Sequence, residues 1–232
     1  MFRWLAPEYR TMGYDGLLLD HDGVIVTLAD RAAIDRAAGA AFEDAGIDDP
    51  DPADVDAISI GVDPADVRQL GRTYDVDPAT LWRHRDDRIE TLLRAATRDG
   101  RKQPYEDVDA LAGVDLPLGV VSNNQTRIVD DVLTHHGLAA LVGTVRARDP
   151  TLASLEHTKP EPDYLTAAMA DLGIDRPLYV GDSESDVEAA RRAGVDVAFL
   201  RRHHNADRSL AVEPTYDVAS LHTVVERLCE AD

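Results

Sequence analysis

Short, mostly apolar runs that stop at polar residues recur along this chain, and they constrain its fold more than any other feature. Four clear runs lie at residues 16–19, 116–121, 177–180 and 195–200, and two weaker ones at 141–145 and 215–218. A strand that is apolar on both faces belongs inside a parallel sheet, because helices then cover both faces of that sheet. The runs therefore predict buried parallel strands, the first of which delivers Asp20 to the edge of the sheet.

Helical periodicity fills the gaps between these strands. The clearest helical segments are 126–136, 162–172 and 185–193. Gly137, Gly173 and Gly194 follow them, at the position where glycine commonly ends a helix. Strands that alternate with helices predict the α/β class, here a doubly wound, Rossmann-like parallel sheet with helices on both faces.

Residues 29–100 break this alternation. Helical patterns occur at 31–45 and 78–97, the stretch 48–56 is rich in Asp and Pro and indicates a loop, and no run predicts a strand. A connection of about seventy residues between consecutive strands is too long for a single crossover. We therefore predict an inserted all-helical domain at 29–100 and a core formed by 1–28 and 101–232. The alternative is that these helices simply pack on the sheet.

The chain is strongly acidic, with 44 Asp and Glu against 24 Lys and Arg and a net charge of −20, and its only lysines are Lys102 and Lys159. Such a surface repels nucleic acid phosphates and anionic lipids, so we expect neither as a partner. No segment approaches the roughly 18 apolar residues of a membrane span. The composition resembles that of halophilic proteins. We expect a cytoplasmic protein that acts as a monomer or homodimer.

Polar residues gather where the predicted strands end. The segments concerned are Asp20-His21-Asp22-Gly23, Ser122-Asn123-Asn124 and Gly181-Asp182-Ser183-Glu184-Ser185-Asp186, together with Lys159 before the helix at 162–172. In a doubly wound sheet, ligands bind outside the carboxyl ends of the strands. We therefore expect these side chains to meet in one cleft.

Several carboxylates in one cleft repel one another unless a cation lies among them, and hard oxygen ligands favour Mg²⁺. Asp20 at a strand end could attack phosphorus as a nucleophile. Asp22 could protonate the leaving oxygen and later deprotonate water. Ser122 could donate to phosphate oxygens, while Lys159 would supply the positive charge that a phosphoryl transition state needs.

Four motifs, in this order, resemble those of the haloacid dehalogenase-like superfamily, in its phosphoglycolate phosphatase-like branch. They are Leu19-Asp20-His21-Asp22-Gly23-Val24, Val121-Ser122-Asn123, Lys159-Pro160-Glu161-Pro162, and Gly181-Asp182 followed by Asp186. The resemblance extends from about residue 17 to residue 200. It implies a magnesium-dependent phosphatase that hydrolyses a small phosphate ester, with phosphoglycolate as the default substrate, and a helical cap domain directly after the first motif.

The resemblance also implies a role for each matching residue. Asp20 would be nucleophile and metal ligand, and Asp22 would be the acid/base and would offer the metal its backbone carbonyl. Asp182 would be a further metal ligand, and Asp186 would support the metal directly or through water. Ser122, Asn123 and Lys159 would hold the phosphate. His21 inherits no role, and its side chain is expected on the opposite face of the strand.

Other chemistries of the superfamily are separable on these residues. A dehalogenase lacks the second aspartate, so Asp22 argues against that activity. A phosphonatase needs a lysine in the cap, whereas Lys102 falls at the exit from the insertion. A β-phosphoglucomutase-like mutase and a catalytically silent binding protein remain open.

Substrate choice would lie in the cap. The candidate contacts there are Arg72, His84, Arg85 and Arg88. Each is expected to be solvated or bonded within the insertion.

Overall fold

The computed structural model describes residues 13–230, with only the backbone at 229 and 230. Its centre is a parallel sheet of six strands in the order β3-β2-β1-β4-β5-β6. The strands are β1 (Gly16–Leu19), β2 (Leu118–Gln125), β3 (Thr144–Arg148), β4 (Pro177–Gly181), β5 (Asp196–Leu200) and β6 (Tyr216–Val218). The predicted parallel α/β sheet is therefore confirmed.

The strand order reverses at β1. From β1 the chain passes outward through β2 and β3, then crosses to β4 on the other side of β1 and continues through β5 and β6. The strand ends at such a reversal diverge and leave a crevice in which ligands bind. Asp20 follows β1 and Asp182 follows β4, so both aspartates lie at this crevice.

Eight α-helices connect or flank the strands in the described part of the chain. They are α1 (Arg31–Asp44), α2 (Pro52–Ala57), α3 (Pro64–Tyr74), α4 (Pro78–Arg98), α5 (Thr126–His135), α6 (Asp163–Leu172), α7 (Glu184–Ala193) and α8 (Leu221–Glu230). Apolar residues of α5 and α8 pack on one face of the sheet and those of α6 and α7 on the other. This two-sided packing is the doubly wound arrangement that the sequence predicts.

Aspartate begins each of the first four helices. The side chains of Asp30, Asp51, Asp63 and Asp77 each accept a hydrogen bond from a backbone N–H in the first turn. An aspartate in this position satisfies an otherwise unpaired donor and stabilises the helix by about 1 kcal/mol. Part of the chain's acidity therefore has a local structural use.

The helices α1 to α4 share a hydrophobic cluster of their own. Phe42, Ile58, Leu70 and Trp82 are among its buried members, and Leu155 from the core contacts it. No strand lies between β1 and β2 among these described residues. Ile89 and Leu93 of α4, in contrast, belong to the cluster that covers the sheet.

Two local predictions were wrong. The stretch 48–56 is not all loop, because Asp51 caps α2 and Pro52 occupies its first turn, where proline is well tolerated. Strand β2 does not end at residue 121 but continues to Gln125, since Ser122 and Gln125 still pair with β3. The apolar run stops before the backbone pairing does, so hydrophobicity alone placed the end too early.

Among the described residues, no helix combines the length and apolarity that crossing a bilayer requires.

Candidate active site

Three aspartates come together at the crevice. Each of Asp20, Asp182 and Asp186 offers a carboxylate oxygen, and these oxygens all lie within 4.8 Å of one another. All three residues are less than a tenth exposed. A buried set of hard oxygen donors fits a small divalent cation such as Mg²⁺.

Lys159 is the cation that the protein itself supplies to this cluster. Its Nζ lies 2.8 Å from Asp20 Oδ1 and 2.7 Å from Asp186 Oδ1, and it donates to the carbonyl of Val121 and the hydroxyl of Tyr179. Burial lowers the pKa of Lys159, but the carboxylates of Asp186 and Asp20 raise it more, so the ammonium stays charged. The structure brings Lys159 to the predicted cleft.

The three carboxylates have different electrostatic environments. Burial raises the pKa of Asp20 well above its usual range, and Asp186 and Asp182 add to that rise although Lys159 opposes it. Burial likewise raises the pKa of Asp182, against the effect of His204. The pKa of Asp186 is lowered, because hydrogen bonds and Lys159 outweigh the effect of burial. Burial and repulsion within the cluster therefore disfavour the ionised form mainly of Asp20 and Asp182.

Asp186 is held rigidly at the start of α7. Its Oδ2 accepts hydrogen bonds from the backbone and hydroxyl of Ser183 and the backbone of Asp182, and its Oδ1 accepts from Tyr179 and Lys159. Ser183, not Asp182, caps the helix, in a reciprocal capping box with Asp186. Both oxygens of Asp186 are thus engaged, and Asp182 is not used as the helix cap.

Glycine is required where the first motif approaches the cluster. Gly23 has φ +86°, and a Cβ there would lie 2.0 Å from Asp182 Oδ2. Any side chain would both strain the backbone and displace the Asp182 carboxylate. Gly23 therefore lets the loop after β1 pack directly on the loop after β4.

Asp22 follows Asp20 closely in the chain, but its hydrogen-bond and ion-pair partners are not those of the aspartate cluster. One carboxylate oxygen forms an ion pair with Lys102, and the other accepts from Asn124 Nδ2 at 3.0 Å. Lys102 is fully buried and also donates to the carbonyl of Thr27. Burial raises the pKa of Asp22, but Lys102 and His21 lower it by more. The pKa of Asp22 therefore lies well below its usual range.

Strand alternation predicts that the His21 side chain lies on the opposite face from the site. Instead, the side chain contacts Asp22. It is fully buried, and its Nδ1 lies 3.1 Å from Asp22 Oδ2. The reason is that β1 ends at Leu19, so the alternation no longer applies in the turn that follows. His21 Nε2 has no hydrogen-bond partner within residues 13–230, and burial lowers the pKa of the ring.

Ser122 and Asn123 of the second motif form hydrogen bonds with other residues of the site. Ser122 is 2% exposed, and its Oγ accepts a hydrogen bond from the backbone of Asn124. Asn123 holds the Lys159 backbone from both sides, through Nδ2 to the Lys159 carbonyl and Oδ1 from the Lys159 N–H. The Asn123 side chain therefore positions Lys159, and the phosphate contact predicted for Asn123 stays a prediction.

A cavity of about 810 Å³ adjoins these residues and reaches into the helical insertion. Its walls include Asp22, Asn124 and Lys159 from the core, and Trp82 and Arg85 from α4. Core and insertion thus share one cavity. Of the four candidate substrate contacts within residues 29–100, Arg85 lines this cavity, whereas Arg88 pairs with Asp44 on the surface.

Sequence reasoning missed three residues of the site. Lys102 pairs with Asp22, Arg148 lines the cavity, and His204 Nε2 lies 2.5 Å from Asp182 Oδ2. The rarity of lysine in this chain was a usable signal for Lys102. No local pattern marks Arg148 or His204, because tertiary packing alone brings them to the site.

Comparison with known proteins places the chain in a family. The family model of haloacid dehalogenase-like hydrolases matches residues 15–200. N-acetylmuramic acid 6-phosphate phosphatase of Pseudomonas aeruginosa is 29% identical over 205 residues, which cover 83% of this chain and 84% of that protein. Phosphoglycolate phosphatase of Yersinia pseudotuberculosis is 29% identical over 149 residues, which cover 59% of this chain and 63% of that protein.

Solved structures share the fold. A Lactobacillus plantarum protein provisionally assigned as a phosphoglycolate phosphatase has a TM-score of 0.67 at 18% identity, covering 93% of this chain and 99% of its own. CbbY from Rhodobacter sphaeroides, in complex with phosphate, has a TM-score of 0.66 at 18% identity, covering 91% and 96%. The chain therefore belongs to the haloacid dehalogenase-like hydrolase family, in which it is a phosphoric monoester hydrolase.

Proposed function

We propose that this protein hydrolyses a small phosphorylated metabolite through an aspartyl-phosphate on Asp20, with a divalent metal. The observation that carries the proposal is the position of Asp20 at the end of β1, 2.8 Å from a buried ammonium and within 4.8 Å of two further carboxylates. A nucleophile that must accept a phosphoryl group needs positive charge beside it, which the Lys159 ammonium and a cation held by the carboxylates would supply.

Asp22 is proposed as the acid/base. Its protonated carboxyl group would give its proton to the leaving alkoxide when Asp20 attacks phosphorus, and the resulting carboxylate would take a proton from the water that hydrolyses the acyl phosphate. The ion pair with Lys102 favours the ionised form of Asp22, which is the form that accepts a proton. A doubly negative phosphate close by would raise the pKa of Asp22 and favour the protonated form needed first.

Asp20 and Asp182 would hold Mg²⁺, together with the backbone carbonyl of Asp22. Bound Mg²⁺ would neutralise phosphate oxygens and orient the ester for in-line attack. Asp186 would act through water, since both of its oxygens already accept hydrogen bonds within the protein. Lys159 would stabilise charge on the transferring phosphoryl group, and Ser122 with the amides of the second motif would bind its oxygens.

Residues 29–100 would form a cap domain that closes the cavity and selects the substrate. The separate hydrophobic cluster of α1 to α4 supports this division. The names of the relatives support a small phosphorylated metabolite, with phosphoglycolate as the default. We propose a cytoplasmic enzyme.

A panel of phosphorylated metabolites tests the proposal. Hydrolysis should need Mg²⁺, stop with EDTA and recover poorly with Ca²⁺, which prefers larger and looser coordination. Asp20→Asn should reduce turnover at least about a thousandfold with unchanged circular dichroism. Turnover in EDTA, or more than about a tenth of the activity in Asp20→Asn, would contradict the mechanism. Conversion of a sugar phosphate into its isomer without phosphate release would instead identify a mutase.

A further inference from the structure

A buried cluster of charged residues lies in the wall of the cavity, at the joint between α4 and the end of β3. Arg148 is 2% exposed, Arg85 is 9% exposed and Asp86 is fully buried. The guanidinium of Arg85 lies 4.8 Å from the ring centroid of Trp82, and that of Arg148 lies 5.0 Å from it. The cluster holds two positive charges and one negative charge.

Asp86 mainly neutralises Arg148. Its two oxygens accept from Arg148 Nη1 and Nη2 at 2.7 Å each, whereas Arg85 Nη1 reaches the same carboxylate only at 3.1 Å. Arg148 also donates to the carbonyls of Asn123 and Asp149. Arg148 is therefore well satisfied, and the excess positive charge lies on Arg85.

Arg85 keeps hydrogen-bonding capacity that the protein does not use. Its other bonds go to the carbonyls of Ile58 and Ser59, so one N–H on Nη1 and one on Nη2 have no acceptor among residues 13–230. Trp82 Nε1 is buried and also lacks an acceptor in that part of the chain. The pKa of Arg85 is lowered to about 10, because burial and Arg148 outweigh Asp86.

Acidic residues at the edge of the cavity do not balance this charge. Glu156 is paired with Arg68, Glu161 with Arg192 and Asp22 with Lys102, and exposed Asp63 caps α3. Glu156 and Glu161 are each about half exposed, so solvent screens them as well. A buried positive charge with free donors beside a cavity favours an anionic ligand.

We propose that Arg85, supported by Arg148 and Trp82, binds a carboxylate of the substrate, so that the enzyme selects phosphate esters that also carry a carboxylate. This inference rests on the proposed phosphatase function and assigns its substrate class. One carboxylate matches the single excess charge, and its two oxygens match the planar fork of a guanidinium. A second phosphate would bring up to two negative charges to the same place.

The proposed carboxylate site is connected to the acid/base through strand β2. Arg148, which supports Arg85, donates from Nε to the carbonyl of Asn123, and the next residue, Asn124, donates to Asp22. Arg85 and Asp22 both line the cavity, so a single ligand that carries a phosphate and a carboxylate can lie between them.

Matched substrates test the assignment. In 2-hydroxyethyl phosphate a neutral CH2OH replaces the carboxylate of 2-phosphoglycolate. The wild-type protein should show a kcat/KM about 10- to 100-fold higher for 2-phosphoglycolate, the range of a hydrogen bond to a charged group. Arg85→Gln should remove most of this preference, Arg85→Lys should retain more of it, and Arg88→Gln, on the surface of the same helix, should retain it fully.

Binding without turnover provides a second readout. In Asp20→Asn protein, calorimetry should show at least about tenfold tighter binding of 2-phosphoglycolate than of 2-hydroxyethyl phosphate. Equal kcat/KM values or equal affinities for the two ligands would overturn the carboxylate site, whether or not Arg85→Gln folds. A tenfold preference for ethylene glycol bisphosphate over 2-phosphoglycolate would also overturn it. If no phosphate ester is hydrolysed, the proposed function fails, and the affinities still decide the inference.

Discussion

Replacement of Lys159 by methionine removes the only ammonium that contacts the aspartate cluster in the described structure. The two ion pairs, at 2.8 and 2.7 Å, are each worth about 6 kcal/mol at an effective dielectric of 20. Desolvation of the buried ammonium offsets much of this attraction. Removal of one partner from a buried pair nevertheless typically costs about 3–5 kcal/mol, because the remaining charges stay buried. For a chain of this length that corresponds to a melting temperature lower by roughly 6–20 °C.

The assay is thermal unfolding of wild type and Lys159→Met in EDTA near neutral pH, followed by circular dichroism. The pKa of Lys159 is raised above its ordinary value of 10.5, so its contribution is fully present below that value and is lost as the pH rises through the shifted pKa. The pKa of Asp186 is lowered below 3.8, so its contribution is present above that value and is lost as the pH falls through the shifted pKa. The Lys159–Asp186 pair is therefore complete between these limits. The Lys159–Asp20 pair also requires ionised Asp20, and because the pKa of Asp20 is raised well above its usual range, this pair is lost at a higher pH on the acid side.

Magnesium should reduce the difference in melting temperature between wild type and Lys159→Met. A cation bound to the native cluster would supply positive charge that Lys159→Met lacks. Lys159→Arg, which keeps the charge, is the matched control and should lose less stability. A melting temperature of Lys159→Met within about 2 °C of wild type in EDTA would refute the reasoning. It would mean that the carboxylates are not repelling one another as ions.

Three further predictions concern other groups. Asp22→Asn should impair hydrolysis of alkyl phosphates more than that of p-nitrophenyl phosphate, whose leaving group needs little protonation, and equal losses would contradict the general-acid role. Lys102→Met should raise the pKa of Asp22, so the limb of the pH–rate profile that reports Asp22 should move to higher pH, and an unmoved profile would argue against coupling of this ion pair to catalysis. The melting temperature should rise as the KCl concentration increases toward molar levels. The net charge is −20, and repulsion between surface carboxylates weakens as the Debye length falls from ~30 Å at 0.01 M to ~3 Å at 1 M. A melting temperature that does not change with KCl would reject the halophilic interpretation.

The sheet and the positions of the motifs at its strand ends could be predicted from the sequence because they depend on local patterns. Strand β1 was predicted with the bounds that the structure has, and Asp20 follows it directly. Asp182 follows β4 in the same way, so a parallel sheet brings both residues to one edge. An apolar run closed by a polar residue carries this information in a few consecutive positions.

Partner choice within the site was decided only by the tertiary structure. Lys102 pairs with Asp22 across 80 residues of sequence, and Arg148 pairs with Asp86 across 62. Hydrophobic periodicity shows which face of an element is buried, but it does not show which charged side chain of a distant element will lie against that face. These pairs form because α4 packs over the end of the sheet and buries the charged side chains there. A buried charge without a partner is energetically costly, so each of these ions is paired.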